Sequence, residues 1–366
     1  MAFDFPNSPS EGTTFAPSGG PVYVYTGGVW RMQGSGQVVT AEARNRLVNP
    51  AFQISQENGN TLSPASGYIA DQWVLGHQND GTITWQRVQS TTPNGSKDRF
   101  RIAVTVAQSL LTSTLTYPGT KLEGIRTADL QWGTAKARPI VVRFGWKSPA
   151  GTYAFAMKNS ALNRNYIVPF TISAAQANTD TEQVFAIPGD TTGAWPTDTS
   201  ASLYPVWIPA CGADFIGASV PNTWQAGNIY GVPGLTNGVG TVGNTFEIFD
   251  MGLYADPNAT GVPPPWQMPD EAEELRACER YYEKGRTTMQ SSYVTASSLF
   301  FTAAIFRTVK RVAPTVGLVT VGSAGFVTTS GAASNITVDQ AQESRTANAT
   351  VASGYFWSSY TANARM

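Results

Sequence analysis

The sequence predicts an all-β protein, an antiparallel β-sandwich with small β appendages and a single helix, and three observations lead there. Only 13% of the 366 residues are charged, while Thr, Ser, Gly, Asn and aromatic residues are abundant, a mix that suits short strands and tight turns. From about Leu47 to Tyr254, short β-favouring runs follow one another between turn formers: TITWQRV, RFRIAVTV, PIVVRFGW, TYAFAM, YIVPFTI, EQVFAI, LYPVWIPA and TFEIFDMGLY. The alternation of helix and strand that marks a parallel α/β fold does not occur in this stretch. Greek-key and jelly-roll wiring both satisfy such spacing.

Residues 1–40 form the first element. Turn formers at SEG, SGG and TGG separate short runs, and PVYVYTGGVWRM predicts a hairpin in which Val22 and Val24 alternate with Tyr23 and Tyr25, with Gly27 and Gly28 at the turn. A unit this small is marginal alone, so it is expected to dock on a partner or a second copy. GSGQVVTAEAR then serves as a connection, with VVTAEARNRL able to add a helical turn. Residues 41–262 are expected to hold the sandwich.

Residues 263–366 begin with a change of character at GVPPPWQMPDEAEELRACERYYEKG. Asp270 followed by Glu273 predicts a capping box opening a helix, acids crowd its first turn, and Gly285 is the expected stop. Leu275, Cys278 and Tyr282 form its apolar stripe, so Cys278 is expected to pack in the interior. The tail returns to β-like segments, LFFTAAIF, TVGLVTV and GYFWSSYTANA.

Charge and motif content argue against several functions. Lys and Arg total 24 against 25 Asp and Glu, so no basic field gathers phosphates, and no nucleic acid partner is expected. Cys211 and Cys278 are too few for a disulfide scaffold or a four-thiolate zinc site, and both are expected as reduced thiols. The beginning of the chain lacks a secretory signal pattern, and no run approaches the roughly 18 apolar residues of a membrane helix, so no membrane insertion is expected. His77 is the only histidine, set in the polar turn VLGHQNDG, and carries no expectation of catalysis. Gly238, Gly240 and Gly243 match G-x-G-x-x-G, but the residues that follow read as a strand, whereas a dinucleotide site needs a helix. Glu123, Asp129, Glu247 and Asp250 offer carboxylates for glycan cleavage, and Arg99, Arg101, Lys121, Arg126, Arg138, Arg143 and Lys147 make a mildly basic middle section. Strand-face charges account for both groups more simply. No enzyme, cofactor or metal is expected, although loop Asp and Asn clusters leave calcium open.

The aromatic residues are the better functional signal, because sugar rings stack their C–H faces on flat side chains. Trp85 alternates with Ile83 and Arg87 on a strand and is expected in the core. Trp195 in PGDTTGAWPTD, and Trp224 with Tyr230 in PNTWQAGNIYG, stand in turn-rich loops and are the candidate carbohydrate-binding residues. Packing under the loops is the competing account of all three.

Several stretches together resemble bacteriophage tail-fibre and virion-spike proteins that carry a carbohydrate-binding-module-like jelly roll. They are FPNSPSEGTTFAPSGGPVYVYTGGVW, NRLVNPAFQISQENGN with GYIADQW, GDTTGAWPTD, NTWQAG, the run from NTFEIFDMGLY to the helix, and the closing YTANARM. Trp195 and Trp224 match motif positions that maintain the fold. The resemblance implies a homotrimer assembled in a bacterial cytoplasm and localised to the virion, attached to other virion proteins through the N-terminal module. Its distal β region would face host surface polysaccharide during adsorption. A purely architectural head, collar or tail decoration and a polysaccharide depolymerase are the rival functions. The lack of a repetitive β-helix pattern weighs against the depolymerase.

Overall fold

A computed structural model describes residues 5–16, 22–32, 40–63, 67–217, 219–327 and 331–366. The chain divides into two compact units, 1–40 and 41–366. In the first, Thr14–Phe15, Tyr23–Thr26 and Val29–Met32 form an antiparallel three-stranded sheet. Its hairpin turns at Gly27 and Gly28, both at positive φ. Ring contacts take the place of a larger core: Phe5 stacks on Trp30 at 5.4 Å and meets Tyr23 edge-on at 4.9 Å.

The second unit is built on a jelly-roll-like antiparallel sandwich. One sheet has the order Thr181–Ile187, Ile140–Lys147, Thr245–Ala255, Asp98–Val106, Thr82–Gln89. The facing sheet runs Trp224–Ala226, Arg164–Ile172, Gly151–Asn159, Ala201–Ile208, Leu115–Thr120, Trp73–Gln78, Gly67–Ala70, with short strands Leu122–Glu123 and Ala210–Cys211 attached. Alternation sends Phe100, Ile102 and Val104 inward from one sheet and Tyr153, Phe155 and Met157 inward from the other. Trp73, Trp85, Trp146 and Trp207 fill the space between. Along Thr245–Ala255 the inward set changes from Phe246 and Ile248 to Met251, Leu253 and Ala255. Asp250 causes the change: it adopts φ 51°, and the pairing with Ile140–Lys147 slips between Arg143 and Gly145, a bulge that turns the later residues over. Its carboxylate is held by Ser96 Oγ and by Asn94 Nδ2.

Asp270 caps the helix Glu271–Glu279, accepting from the amides of Ala272 and Glu273 at 3.0 Å each. The helix packs Cys278 with Tyr281, Val48 and Ile54. Two sequence expectations need correcting. The helix does not run to Gly285, which lies within the strand Tyr282–Ser291. There it pairs with Tyr360, whose ring fills the space a Cβ would need, so this glycine serves sheet packing and not a helix stop. His77 lies on the strand Trp73–Gln78 and not in a turn; its Nδ1 is 3.2 Å from Asp80 Oδ1.

After the helix comes a second, smaller sandwich. Tyr282–Ser291, Gly354–Asn363 and Thr315–Ala324 form one sheet in that order, and Leu299–Ile305, Gln340–Thr346 and Ala332–Ser334 form the other. Between them lie Phe300, Phe326 and Phe356, then Ala304, Phe306 and Tyr360. A polar layer is also enclosed, in which Arg345 bonds Glu343, Thr320 and Ser358 at 2.7–2.8 Å. The two sandwiches meet at Glu123. Its fully buried carboxylate accepts two hydrogen bonds from Arg280, at 2.7 and 2.9 Å, and one from the Tyr281 hydroxyl at 3.0 Å. Arg280→Met would strand that buried charge and is expected to cost about 3–5 kcal/mol, read as a lower urea midpoint. Adding Glu123→Gln should recover part of the loss, and a double mutant no better than Arg280→Met would contradict the assignment.

Candidate functional site

The three aromatics singled out in the sequence fall into two clusters. Trp195 is 8% exposed and donates from Nε1 to Thr192 O at 3.0 Å. It packs edge-on against Trp132 at 4.8 Å and Trp224 at 5.5 Å, and Trp132 meets Trp224 at 5.2 Å. Trp224 is half-buried, on the short edge strand Trp224–Ala226, and its Nε1 donates to Pro188 O. Asp190, paired with Arg164 through two bonds of 2.6 and 2.8 Å, braces the loop beside this triad. Tyr230 is elsewhere, on the outer side of the larger sheet, and only 3% exposed. Neither Trp195 nor Tyr230 offers an open ring face to a ligand.

Tyr230 belongs to a layer that covers the outer face of the larger sheet. Ala154, Ala156, Ile167, Val206 and Ile208 point away from the main core, and Phe215, Ile216, Ile229 and Val232 lie over them. Small alanines at alternate positions of Gly151–Asn159 leave room for this cover. Within it Lys158 is fully buried, its Nζ 2.6 Å from Ile229 O and 3.8 Å from the Tyr230 ring centroid. Burial lowers the Lys158 pKa to about 7 and raises that of the neighbouring Cys211 thiol to about 12. The sheet face on which an open sandwich would receive a ligand is therefore closed by the protein's own chain.

Most of the candidate carboxylates and cations are similarly occupied. Asp129 pairs with Arg46, and that guanidinium holds its carboxyl below the usual range. Glu247 pairs with Arg99 at 3.1 Å and Arg101 at 2.6 Å, while Arg99 also binds Asp180 and stacks over Phe249. Arg143 pairs with Glu182, and Arg126 donates to the carbonyls of Arg46 and Leu47. Gly238, Gly240 and Gly243 lie in a loop that leads into the strand Thr245–Ala255.

A more open surface lies on the smaller sandwich. On Gly354–Asn363, Phe356, Ser358, Tyr360 and Ala362 are buried while Tyr355, Trp357, Ser359 and Thr361 take the opposite face. Tyr355 is 43% exposed. Register places Gln290 beside Tyr355, Thr288 beside Trp357 and Arg286 beside Ser359. On the other flank Gly322 stands opposite Trp357, and a Cβ there would collide with the indole, which therefore lies over the neighbouring backbone. A depression of about 450 Å³ is lined in part by Arg286, Thr288, Gln290, Tyr355 and Trp357. Another, of about 320 Å³, lies along the same sheet between Lys284, Val319 and Thr361. Sequence reasoning missed this surface because Gly285 reads as the helix stop, which removed one of its three strands.

No protein-family model and no curated protein matches this sequence. Among solved structures, the chain is similar to the enzymatically active domain of tailspike protein 4 of bacteriophage CBA120, at 10% identity and a TM-score of 0.32, with 58% of this chain covered. It spans only 21% of that tailspike chain. It is also similar to a family 11 carbohydrate-binding module of Clostridium thermocellum, at 10% identity and a TM-score of 0.25, covering 52% of this chain and 91% of the module. The xylan-binding domain of Paenibacillus barcinonensis Xyn10C matches at 6% identity and a TM-score of 0.29, covering 59% and 97%. At these scores the all-β assignment rests on the strands and sheets themselves.

Lys158 supplies a pH test of the covering layer. In the unfolded chain the ammonium keeps its proton up to the ordinary value of 10.5, whereas the folded protein releases it near 7. The unfolded state holds more protons between these values, so this residue makes stability rise with pH there. From pH 7 to 9 the urea midpoint of the wild type is expected to climb relative to Lys158→Met. Parallel curves would show that Lys158 is not buried in this way.

Proposed function

We propose that the protein is a non-catalytic structural subunit of a virion fibre or spike that binds host cell-surface glycan during adsorption. The observation that supports this reading is the open face of the smaller sandwich, where Tyr355 and Trp357 lie among Thr288, Gln290, Ser359 and Thr361. Flat aromatic surface takes the apolar side of a pyranose, and neighbouring hydroxyl and amide groups bond its hydroxyls. All these side chains stand on paired strands, which hold them in place before a ligand arrives.

In this proposal the 1–40 unit attaches to other virion proteins and the chain forms a homotrimer. The exposed apolar row Leu299, Phe301 and Ile305, on the other sheet of the smaller sandwich, is the surface that self-association would bury. Weak sugar contacts repeated in each copy would then add through avidity.

The test is titration of the purified full chain with extracted host polysaccharide, with the incubated glycan assayed for new reducing ends. Saturable binding without new ends is expected. Trp357→Ala should weaken it by about tenfold or more, on the scale of an aromatic hot spot. Trp195→Ala should instead cost about 3–5 kcal/mol of stability, as loss of a buried indole does. New ends would favour a depolymerase, and absence of binding would favour an architectural decoration.

A further inference from the structure

The face around Trp357 is charged as well as aromatic, and its charge has one sign. Outward positions of Tyr282–Ser291 carry Lys284 and Arg286, whereas the other two strands of this sheet, TVGLVTVGSA and GYFWSSYTAN, contain no Asp or Glu. The only acid of the three strands is Glu283, which points inward, is fully buried and binds Lys310 at 2.6 Å. Arg286 has no carboxylate partner among the described residues. Its guanidinium lies over the Trp357 ring, 5.0 Å from the centroid, and lines the larger depression. Most other arginines of this unit are spent on ion pairs or on backbone carbonyls, including Arg46, Arg99, Arg164, Arg280, Arg311 and Arg345. Lys284 donates weakly to the Glu57 carbonyl at 3.3 Å, and the Glu57 carboxylate is itself engaged by Arg365.

We infer that this face selects an acidic glycan, a saccharide chain bearing carboxylate groups, with one sugar ring on Trp357 and its carboxylate on Arg286. This rests on the glycan-binding reading and narrows its ligand class. A guanidinium is planar and presents paired N–H donors that match a carboxylate, and its position over one part of the indole sets ring and charge at one residue of the polymer. Lys284 lies two positions along the same strand, beside the second depression, and meets the next acidic sugar. Thr288, Gln290 and Ser359 supply uncharged donors and acceptors that neither repel nor neutralise the anion.

The experiment separates charge from sugar structure. A panel of uronate-containing capsular polysaccharides is prepared in two forms, native and carboxyl-reduced, the second by carbodiimide activation and borohydride reduction, which leaves ring and linkage unchanged. Full-chain protein is titrated with both. The native form is expected to bind at least about tenfold tighter than its reduced partner, the scale of a lost charge-assisted hydrogen bond pair. R286Q should lose most of that preference, and R286Q combined with K284Q should bind both forms alike at the weaker level, with an unchanged unfolding midpoint because both residues are exposed. R286K should keep part of the preference, and W357A should lose both forms. Equal binding of the two forms by wild type, or a preference that survives undiminished in R286Q, overturns the inference and leaves glycan binding intact. Failure of wild type to bind any polymer of the panel or any host extract overturns the glycan reading itself. A change of oligomeric state in W357A would overturn the inference by assigning this face to a second copy of the chain.

Discussion

Much of the second unit depends on one buried carboxylate. Glu123 ends a two-residue strand at the edge of the larger sandwich, has no access to water, and is satisfied by Arg280 and Tyr281 at the end of the helix. An unpaired charge in that place would be costly, so the helix end has to sit where it does. From Tyr282 the chain enters the first strand of the smaller sandwich, and the platform of Arg286 and Thr288 therefore inherits its position from this ion pair. Lesser ties reinforce the join: Gln56 donates to Tyr282 O at 2.7 Å, and Arg311 donates to Thr199 O at 2.9 Å. An interface fixed by charge and directional hydrogen bonds has a defined geometry, which a purely apolar contact would leave looser.

The two sandwiches use their outer faces in opposite ways. The larger one covers its broad sheet with residues 212–217 and 219–235, placing bulky Phe215, Ile229 and Tyr230 over small Ala154 and Ala156. Lys158 beneath them loses its charge near neutral pH because solvent is excluded. The smaller sandwich leaves its outer sheet open, and its interior is partly polar, with Glu343, Arg345 and Ser358 bonded to one another. Exposed aromatic rings are costly to leave in water, whereas the cations beside them are well solvated, so the rings mark this face as one that receives a ligand or partner. The contrast directs attention from the larger fold to the smaller one.

Most strands of the larger sandwich and three of the smaller one were legible in the sequence, because alternation and turn residues are local signals, and so was the Asp270 cap; Tyr282–Ser291 and Gln340–Thr346 were not. What escaped had a tertiary cause. Gly285 has the chemistry of a helix stop, and only its pairing with Tyr360 shows why glycine is needed in a strand. Asp250 read as a strand carboxylate, yet its positive φ and its bonds to Ser96 and Asn94 make it the pivot of a bulge. Trp195 and Tyr230 lie in loops as the sequence indicates, while Trp224 stands on a short strand between turns, but turn residues do not tell which face of an aromatic ring is covered. Trp132, buried beneath Trp195 and Trp224, decides that in space. Trp357 and Tyr355 sat in a run, GYFWSSYTANA, whose alternate residues are aromatic on both faces, so hydrophobicity alone did not separate core from surface.

The most direct measurement is a crystal structure of the full chain with a bound acidic oligosaccharide. The account predicts a sugar ring stacked on the Trp357 indole, with its carboxylate in bidentate contact with the Arg286 guanidinium. An oligosaccharide seated instead on the covering layer near Tyr230, or on the Trp132, Trp195 and Trp224 cluster with the Trp357 face empty, would contradict it.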